Sequence, residues 1–354
     1  MTRTIGVEEE FLLVDRAGTT TPRAAEVLAR CPSSLPDGMT VQRELRDTQI
    51  EVATGICTSF DELRGQLVAG RQTLAAACPD VRVLASGTPV LGSARPERAL
   101  DTRFRAVDRL YAGITADYEA CGCHVHVGVP DKDTAVAVVN HVARWLPTLL
   151  ALSVNSPFHN GQDHGYGSWR IVQQSRFPGS GLAPRCADFS QWQQETARLV
   201  DCGVLVDERQ TFWYARPSPH LPTVEFRIAD TAAAVDDAVL QALLCRALVN
   251  TALAQLDRGA EAVSAQAGAA AVWTAARYGM DGPAVDPLLG KQVSAGIMLA
   301  GLLDHVRDAL VEAGDLDEVH RLLRDRRTGA TLQRLVAAAG LDAVVRQLSL
   351  GGNK

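Results

Sequence analysis

Residues 4–14 read TIGVEEEFLLV, and this stretch decides how the rest of the chain is interpreted. A β-strand alternates its two faces with period two, so Glu8 and Glu10 should share one face. Acidic residues are poor strand formers, and the apolar run that follows places these acids directly beside buried structure. The simpler alternative is that the three successive acids form a solvated strand end.

Two further short segments show the same alternation. His124 and His126 flank one apolar residue, and so do Glu225 and Arg227. On a strand each pair would present both polar side chains to one face, with the residue between them directed into a core. The pattern predicts strands here with one functional face each. For Glu225 and Arg227, an ordinary same-face ion pair is the alternative.

A fourth segment contributes two more carboxylates, Glu44 and Glu51. Their odd spacing puts them on opposite faces of a continuous strand, so a turn or bulge is predicted near Arg46 and Asp47. Like charges gathered without a counter-ion are costly to bury. If these pieces share one sheet, a divalent cation is the expected compensation.

The donor set favours one kind of cation. A His-x-His pair on a strand is common in zinc sites, which need three protein ligands and an open position. A carboxylate-rich set with only one or two imidazoles favours magnesium or manganese instead. A carboxylate beside an arginine is typical of phosphoryl transfer, in which the arginine neutralises charge on the migrating group.

Composition and missing motifs exclude several classes. The chain has 354 residues and a net charge of −6, and it lacks a basic patch with interleaved aromatic residues, so no nucleic-acid partner is expected. Eight scattered cysteines without a C-x-x-C pair, and an N-terminus without a signal-peptide core, favour the cytoplasm. No apolar run approaches the ~20 residues of a membrane span, so no membrane is expected. The common nucleotide-binding loops, H-E-x-x-H and G-x-S-x-G are absent from the sequence.

Strand and helix signals lack a regular βαβ rhythm, which predicts an antiparallel or mixed sheet backed by helices. We expect one α+β unit over residues 1–354, with a sheet-forming part at about 1–231 and a helical part at about 232–350. A polar, glycine-rich loop is predicted at 155–187. The other predicted strands are 81–87, 121–129, 204–206, 211–216 and 223–229, and the other predicted helices are 23–30, 60–77, 98–117, 131–154 and 191–202.

The chain resembles the bacterial carboxylate–amine ligases of the type 2 glutamate–cysteine ligase group, within the glutamine synthetase-like superfamily. The likeness spans essentially the whole chain, and its two most specific stretches are CGCHVHVGVPD (121–131) and RPSPHLPTVEFRIADT (216–231). The other stretches are TIGVEEEFLLVD (4–15), ELRDTQIEVATG (44–55), LALSVNSPF (150–158) and GYGSWR (165–170).

This resemblance implies a curved, mostly antiparallel sheet with helices on its convex side. Its concave face would hold ATP and two or three Mg²⁺ ions, with Mn²⁺ as the alternative. The implied metal ligands are Glu8, Glu10, Glu44, Glu51, His124 and Glu225. The implied ATP-phosphate contact is Arg227, the implied substrate or phosphate contact is Arg170, and the implied neighbours in the nucleotide site are His126, Arg216 and His220.

The reaction implied by the resemblance activates a carboxylic acid as an acyl phosphate, from which an amine displaces phosphate to form an amide. Glutamate and cysteine, giving γ-glutamylcysteine, are the family's default substrates. Departures from the family pattern at 89–91, Ala53 and His164 leave a different acid and amine of specialised metabolism as an alternative. A metal-dependent phosphotransferase or hydrolase and a non-catalytic binding protein are the others. A homodimer is the default expectation for the assembly.

Overall fold

One seven-stranded sheet organises the part of the chain that the computed structural model describes, residues 3–92 and 102–351. Neighbouring strands follow the order Ala215–Pro217, Thr223–Asp230, Gly122–Gly128, Ile5–Val14, Gln49–Ala53 and Thr40–Arg43 across the sheet. The seventh strand, Arg82–Leu84, pairs with the C-terminal end of Ile5–Val14. Every pairing in this sheet is antiparallel, which confirms the predicted α+β class. The strands are β1 (Ile5–Val14), β2 (Thr40–Arg43), β3 (Gln49–Ala53), β4 (Arg82–Leu84), β5 (Gly122–Gly128), β6 (Phe158–His159), β7 (Gln162–Asp163), β8 (Ser180–Gly181), β9 (Phe212–Trp213), β10 (Ala215–Pro217), β11 (Thr223–Asp230), β12 (Pro283–Asp286) and β13 (Lys291–Ser294).

Helices fill most of the remaining chain. Ser59 caps the helix Phe60–Ala77 through a capping box with Glu62, and Asp131 caps the helix Lys132–Val142. The helices are α1 (Ala24–Arg30), α2 (Phe60–Ala77), α3 (Thr102–Tyr111), α4 (Gly113–Ala116), α5 (Lys132–Val142), α6 (Leu146–Ser153), α7 (Trp169–Gln174), α8 (Phe189–Asp201), α9 (Val235–Asp257), α10 (Gly268–Tyr278), α11 (Ala295–Ala313), α12 (Leu316–Leu323), α13 (Gly329–Ala337) and α14 (Leu341–Leu348). Short 3-10 helices occupy Pro36–Gly38, Ala143–Trp145 and Glu208–Gln210.

The two faces of the sheet have opposite character. Val7, Val125 and Phe226 point to one face and are buried in a core shared with α5, α6 and α9. Glu8 and Glu10 point to the other face. The helices therefore cover the side away from the acids, as the resemblance implied, and burial of this apolar surface is the main favourable contribution to folding.

The middle acid of the first strand belongs to the helical side. Glu9 is fully buried and forms a bidentate ion pair with Arg71 of α2, with contacts of 2.6 and 3.0 Å. Arg71 also donates to the carbonyl oxygen of Ala232 at 2.8 Å, at the point where the chain leaves β11. The run of three glutamates thus splits between a functional face and a structural one.

Two helical stretches correct the expectation that no apolar run is long enough for a membrane span. Residues Lys132–Ser153 and Val235–Asp257 are 22 and 23 residues long and sufficiently apolar by composition. Most of each stretch is buried inside the molecule, against the sheet or other helices. Buried helices of this kind are apolar on all sides because they lie in a core.

Several predicted elements differ from the observed ones. The stretch 155–187 contains a small hairpin and helix α7, because Ser168 caps a helical turn that the glycine-rich composition had hidden. No strand forms at 204–206, and the hairpin of β12 and β13 interrupts the predicted helical part. The predicted helix 98–117 is observed as α3 and α4, and its first four positions lie outside the described residues.

Candidate active site

The register of β1 against its two neighbours brings distant side chains onto one face. Glu8 lies opposite His124 on β5, and Glu10 lies opposite Glu51 on β3. Directly opposed residues of an antiparallel pair have Cβ atoms about 4.5–5.5 Å apart, so their side chains meet. The structure therefore brings together four of the residues that the sequence analysis named as metal ligands.

Glu44 joins this face from the loop between β2 and β3, where the odd spacing from Glu51 predicted a turn. Its carboxylate lies with those of Glu10 and Glu51, one oxygen of each within 4.8 Å of the others. The loop is anchored by Arg46, which is buried and forms an ion pair with Asp108 at 3.2 Å. The turn thus allows Glu44 and Glu51 to lie on the same face of the sheet, which a continuous strand would not allow.

Three overlapping groups of carboxylate and imidazole atoms result. In each group the possible ligand atoms all lie within 4.8 Å of one another. Among the described residues, the groups are Glu8 with Glu51 and His124, Glu8 with His126 and Glu225, and Glu10 with Glu44 and Glu51.

Burial and mutual repulsion disfavour ionisation at one end of this cluster. Burial, then the Glu44 carboxylate, raises the pKa of Glu10 to about 8. Burial also raises the pKa of Glu44, and burial with the charges of Glu44 and Glu8 raises that of Glu51 well above its usual range. At Glu8 burial acts in the same direction, but hydrogen bonds to His124 and His126 outweigh it and lower the pKa.

Both imidazoles are buried and incompletely paired. The Nε2 atoms of His124 and His126 form no well-aligned hydrogen bond in the described part of the chain, although carboxylate oxygens of Glu10 and Glu8 lie 3.7 and 3.2 Å from them. Burial, then the charge of Arg227, lowers the pKa of His124 to about 4, which keeps this ring neutral. Burial would lower the pKa of His126, but its hydrogen bond to Glu8 and the charges of Glu225 and Glu8 outweigh this and raise it. Imidazole nitrogens, once unprotonated, and crowded carboxylates are donors for a divalent cation, so the residues present fit Mg²⁺ or Mn²⁺.

Two arginines hold Glu225, which lies opposite His126 on the neighbouring strand. Arg216 of β10 donates from Nε to the carboxylate at 2.8 Å, and Arg227 donates from Nη1. Burial would raise the pKa of Glu225, but the charges of Arg216 and Arg227 outweigh it and hold the pKa well below its usual value. Glu225 is therefore a permanent anion beside the two histidines.

Arg216, which the resemblance implied as a neighbour in the nucleotide site, is surrounded by hydrogen-bond acceptors of the protein. Besides its two contacts with Glu225, its Nη1 donates to the carbonyl oxygens of Thr211 and Arg209 at 2.9 and 3.1 Å. These partners occupy the guanidinium, and in this arrangement Arg216 positions the carboxylate of Glu225.

A β-bulge displaces Arg227 from the regular ladder. The register of β11 against β5 shifts between Phe226 and Ala229, which places Arg227 in the bulge. Bulges re-aim side chains next to active sites. The guanidinium stays beside Glu225, and its Nε has no partner within the described ranges.

Arg170 of α7 reaches the same region from the opposite wall. It is 1% exposed, and its guanidinium donates to the carbonyl oxygens of Arg227 and Ile228 at 3.1 and 3.4 Å. No carboxylate of the described chain lies within 4.0 Å of it. Gly122 makes room for it, because a Cβ there would lie 2.4 Å from its Nη2.

His220 is not brought to the site. Its side chain is exposed in the turn between β10 and β11, beyond the point where strand pairing ends at Pro217. It contacts none of the clustered side chains within the described ranges. Its place within the specific stretch 216–231 was therefore a poor guide to its position in space.

Two cavities border the cluster at different ends. The first, which we call the arginine cavity, is lined by Glu10, Glu44, His124, Arg170 and Arg227, together with apolar and further polar residues. The second, which we call the strand-edge cavity, is the larger of the two. Its lining includes Gly6, Glu8, Thr54, Gly55, His126, Gly128 and Thr223.

Three residues that the sequence analysis missed line the arginine cavity: Gln49, Gln174 and Gln210. Period-two alternation could have identified Gln49, which lies two residues before Glu51 on β3. No sequence signal pointed to Gln174 and Gln210. They lie in stretches that were predicted as a loop and as the connection between two strands.

Comparison with protein families gives a match over almost the whole chain. Residues 4–348 match the sequence model of glutamate–cysteine ligase family 2. The chain belongs to this family. It is therefore an enzyme of the ATP-dependent carbon–nitrogen ligase class, as the resemblance implied. A Saccharopolyspora erythraea protein named "Putative glutamate--cysteine ligase 2-2" is 51% identical over 348 residues, covering 95% of this chain and 89% of that protein. A Salinispora tropica protein named "Putative glutamate--cysteine ligase 2" is 39% identical, covering 95% and 90%.

Solved structures show the same fold at low sequence identity. The glutamate–cysteine ligase of Francisella tularensis, in complex with AMP, superposes with a TM-score of 0.69 at 14% identity, covering 98% of this chain and 88% of that one. The ligase PafA, in complex with the prokaryotic ubiquitin-like protein Pup, gives a TM-score of 0.58 at 13% identity, covering 98% and 72%. These likenesses confirm the glutamine synthetase-like fold that the sequence indicated.

Proposed function

We propose that this enzyme uses ATP to activate a carboxylic acid as an acyl phosphate and then joins it to a primary amine. Glutamate is the acid and cysteine the amine in the family's default reaction, and glutamate is our first choice for the acid. The observation that carries the proposal is the cluster of six side chains, Glu8, Glu10, Glu44, Glu51, His124 and Glu225, which share one face with Arg227.

Mg²⁺ is the proposed resident ion, with Mn²⁺ as the alternative. When bound, it would neutralise charge on the ATP phosphates and draw them to the acidic face. The ligands proposed are the six residues above, and His126 joins them because it forms one group of possible ligand atoms with Glu8 and Glu225, its Nε2 lying 3.2 Å from Glu8. Without a cation the carboxylates repel one another, which is consistent with the raised pKa values of Glu10, Glu44 and Glu51.

The strand-edge cavity is the proposed nucleotide site. It is the larger of the two and adjoins Glu8 and His126, at the Glu225 end of the cluster. Its glycine-rich and largely apolar lining is suited to a planar base, because a flat ring can approach main chain closely where side chains are missing. The triphosphate would then extend towards the cations.

The arginine cavity is the proposed site of acid and amine. Arg227 stands at its junction with the acidic cluster, and Arg170 adds a second, fully buried guanidinium without an ion-pair partner among the described residues. Guanidinium groups bind carboxylate and phosphate oxygens through paired hydrogen bonds. Arg170 would bind the acid, and Arg227 would stabilise the charge that develops on the transferred phosphoryl group.

The proposed reaction balances in two steps. A carboxylate oxygen bonds to the γ-phosphorus, the bond to the bridging oxygen breaks, and ADP leaves with the electron pair. The neutral amine nitrogen, formed when its ammonium loses a proton to water, then bonds to the acyl carbon. The carbon–oxygen bond to phosphate breaks, and the second nitrogen proton leaves with phosphate. Positioning and charge stabilisation account for the catalysis, without a protein nucleophile.

The proposed place of action is the cytoplasm, on small-molecule substrates. All eight cysteines are free thiols, as a reducing compartment favours. The homodimer stays a prediction.

A matrix screen tests the proposal. Purified enzyme with Mg²⁺ and ATP is offered amino acids as acids and as amines, and ADP release and product mass are measured. We expect ADP and an amide only when an acid and an amine are both present, and no turnover in EDTA. A phosphorylated end product, or ATP consumption without an amine, would replace the ligase proposal with a phosphotransferase or hydrolase.

A further inference from the structure

We infer that the arginine cavity recognises the amine substrate as an α-amino acid with an apolar side chain, through the buried amides of Gln49, Gln174 and Gln210. This inference rests on the proposed function, because it names the class of amine that the ligase would use. It assigns a recognition role to residues outside the acidic cluster.

Gln49 supplies an unused acceptor. Its side chain is 2% exposed, and its Nε2 donates to the carbonyl oxygen of Ala120 at 2.9 Å. That contact fixes the orientation of the amide, since only the nitrogen can donate to a carbonyl. Its Oε1 is left without a partner in the described part of the chain. A buried polar atom without a partner is costly, so native structures rarely retain one without a reason.

Gln210 supplies an unused donor. Its Oε1 accepts a hydrogen bond from the backbone N–H of Val206 at 2.9 Å, and this fixes the orientation of the second amide. Its Nε2 is unpaired among the described residues, although the side chain is only 5% exposed. The exposed side chain of Arg209, which forms no salt bridge with the described residues, lines the cavity beside it.

Gln174 completes the set with a second unpaired amide oxygen, at 3% exposure. Two acceptors and one donor with an adjacent arginine match the two ends of an α-amino acid. Its ammonium group offers three N–H donors to Gln49 and Gln174, and its carboxylate accepts from Gln210 and Arg209. A ligand with both groups would pair all three amides at once.

The remaining wall of the cavity is mostly apolar. Leu45, Phe104, Val107, Tyr118, Ala120 and Phe212 line it, and its only polar members among the described residues are Thr211 and Arg103, whose guanidinium is paired with Asp207. The rings of Tyr118 and Phe212 pack edge to face with centroids 6.2 Å apart. An aliphatic or aromatic substituent buries favourably against such a wall, whereas a polar one of equal size loses hydrogen bonds to water. Cysteine is a small member of the apolar class, and leucine is the member that we choose as the probe.

Equilibrium binding tests the inference without requiring turnover. L-Leucine and its near-isostere L-asparagine are titrated by calorimetry into the full-length enzyme with Mg²⁺ and a non-hydrolysable ATP analogue. We expect leucine to bind at least about tenfold more tightly than asparagine, from the lost apolar contact and unpaired amide. Equal or tighter binding of asparagine, or binding of neither, would overturn the inference.

The matched variant is Gln210→Glu. It keeps the oxygen that accepts from Val206 but replaces the free donor with an anionic acceptor, so leucine affinity should fall at least about tenfold through repulsion of the carboxylate. Gln191→Glu is the control, because Gln191 also accepts from the backbone N–H four residues earlier, that of Ala187 at 2.7 Å, and lies outside the cavity lining. Equal leucine affinity in both variants would refute the role of Gln210.

The screen of acids and amines with Mg²⁺ and ATP distinguishes failure of the inferred amine subsite from failure of the ligase proposal. If amide and ADP form but polar and apolar amino acids serve equally well as amines, the ligase proposal is supported and the inferred amine subsite is refuted. If leucine binds as expected but no acid–amine pair releases ADP, the subsite stands as a binding site and the ligase proposal fails.

Discussion

Glu10 and Glu51 face each other across β1 and β3 with both carboxyl groups buried, at 6% and 3% exposure. No lysine or arginine of the described chain lies within salt-bridge distance of either. Because the two carboxyl groups are buried close together, ionisation of either group is disfavoured. Burial, then the charge of Glu44, raises the pKa of both groups, so a cation bound between them would favour their ionisation.

The first prediction concerns stability against pH in the metal-free protein. Because the pKa of Glu10 is raised to about 8, the folded state holds its proton more tightly than the unfolded state. Its contribution to stability is complete below the unfolded pKa of 4.5 and is lost as the pH rises through about 8. We expect a lower melting temperature in EDTA at about pH 9 than at about pH 6, measured by calorimetry.

Mg²⁺ should reverse this loss, and more strongly at the higher pH, because a cation that binds only the folded state adds about 2.7 kcal/mol at a hundredfold excess over Kd. Glu10→Gln should reduce the pH dependence and weaken the response to Mg²⁺, while Glu44 and Glu51, whose pKa values are also raised, retain the rest. A melting temperature that rises with pH in EDTA would contradict the assignment.

The second prediction concerns Arg227, whose guanidinium adjoins Glu225 and lines the arginine cavity. Arg227→Ala should lower turnover by about 10²-fold or more, because a preorganised charge beside the migrating phosphoryl group is lost. Steady-state ADP release measures it, with Arg198→Ala as the control, since the exposed side chain of Arg198 pairs, among the described residues, only with Glu195 on α8. An unchanged rate in Arg227→Ala would exclude its proposed role.

Much of the site followed from alternation alone. Period two correctly placed Glu8 with Glu10 and His124 with His126, because a regular ladder preserves side-chain faces over many residues. The turn before Glu51 was also predictable, since no continuous strand could put both acids on one face. These inferences needed only local geometry.

Other features depended on contacts between distant segments. The bulge at Arg227 has no glycine or proline to mark it, and the exposure of His220 depends on where pairing with β10 stops. Arg216 is a charged residue near an acidic cluster, and only the three-dimensional structure shows its guanidinium occupied by Glu225 and two carbonyl oxygens. Sequence patterns reveal which face a residue takes, but not which partner it meets there.

The third prediction tests the position of Arg170 through a residue beside it. A Cβ at Gly122 would lie 2.4 Å from Arg170 Nη2 and 3.0 Å from His124 Nε2, so Gly122→Ala should push the guanidinium aside. Misplacement by about 1 Å can cost 10²-fold in rate, and we expect a loss of that order in kcat/KM for the acid. Steady-state kinetics with varied acid and ATP measures the effect and should show little change in KM for ATP.

The fold should survive this change, because the most crowded atoms are the far end of the Arg170 side chain and the ring of His124 needs to shift by only a few tenths of an ångström. Gly65→Ala is the matched control, since its Cβ would meet nothing within 4 Å on the exposed side of α2. That variant should keep full activity and gain roughly 0.5–1 kcal/mol of stability from helix propensity. Normal kcat/KM in Gly122→Ala would show that Arg170 is not needed where it lies.

The fourth prediction separates the structural acid of β1 from the functional ones. Glu9 is fully buried on the helical face and held by Arg71, so Arg71→Met leaves an uncompensated charge in the core. We expect a loss of about 3–5 kcal/mol in the free energy of unfolding, measured by urea denaturation. The double variant Glu9→Gln with Arg71→Met should recover part of that loss, because the unpaired charge is gone.

The folded double variant should retain near-normal kcat, since its changes lie on the side of the sheet away from Glu8 and Glu10. A loss of turnover as large as that expected for Arg227→Ala would mean that the two faces are coupled and that Glu9 contributes to the site.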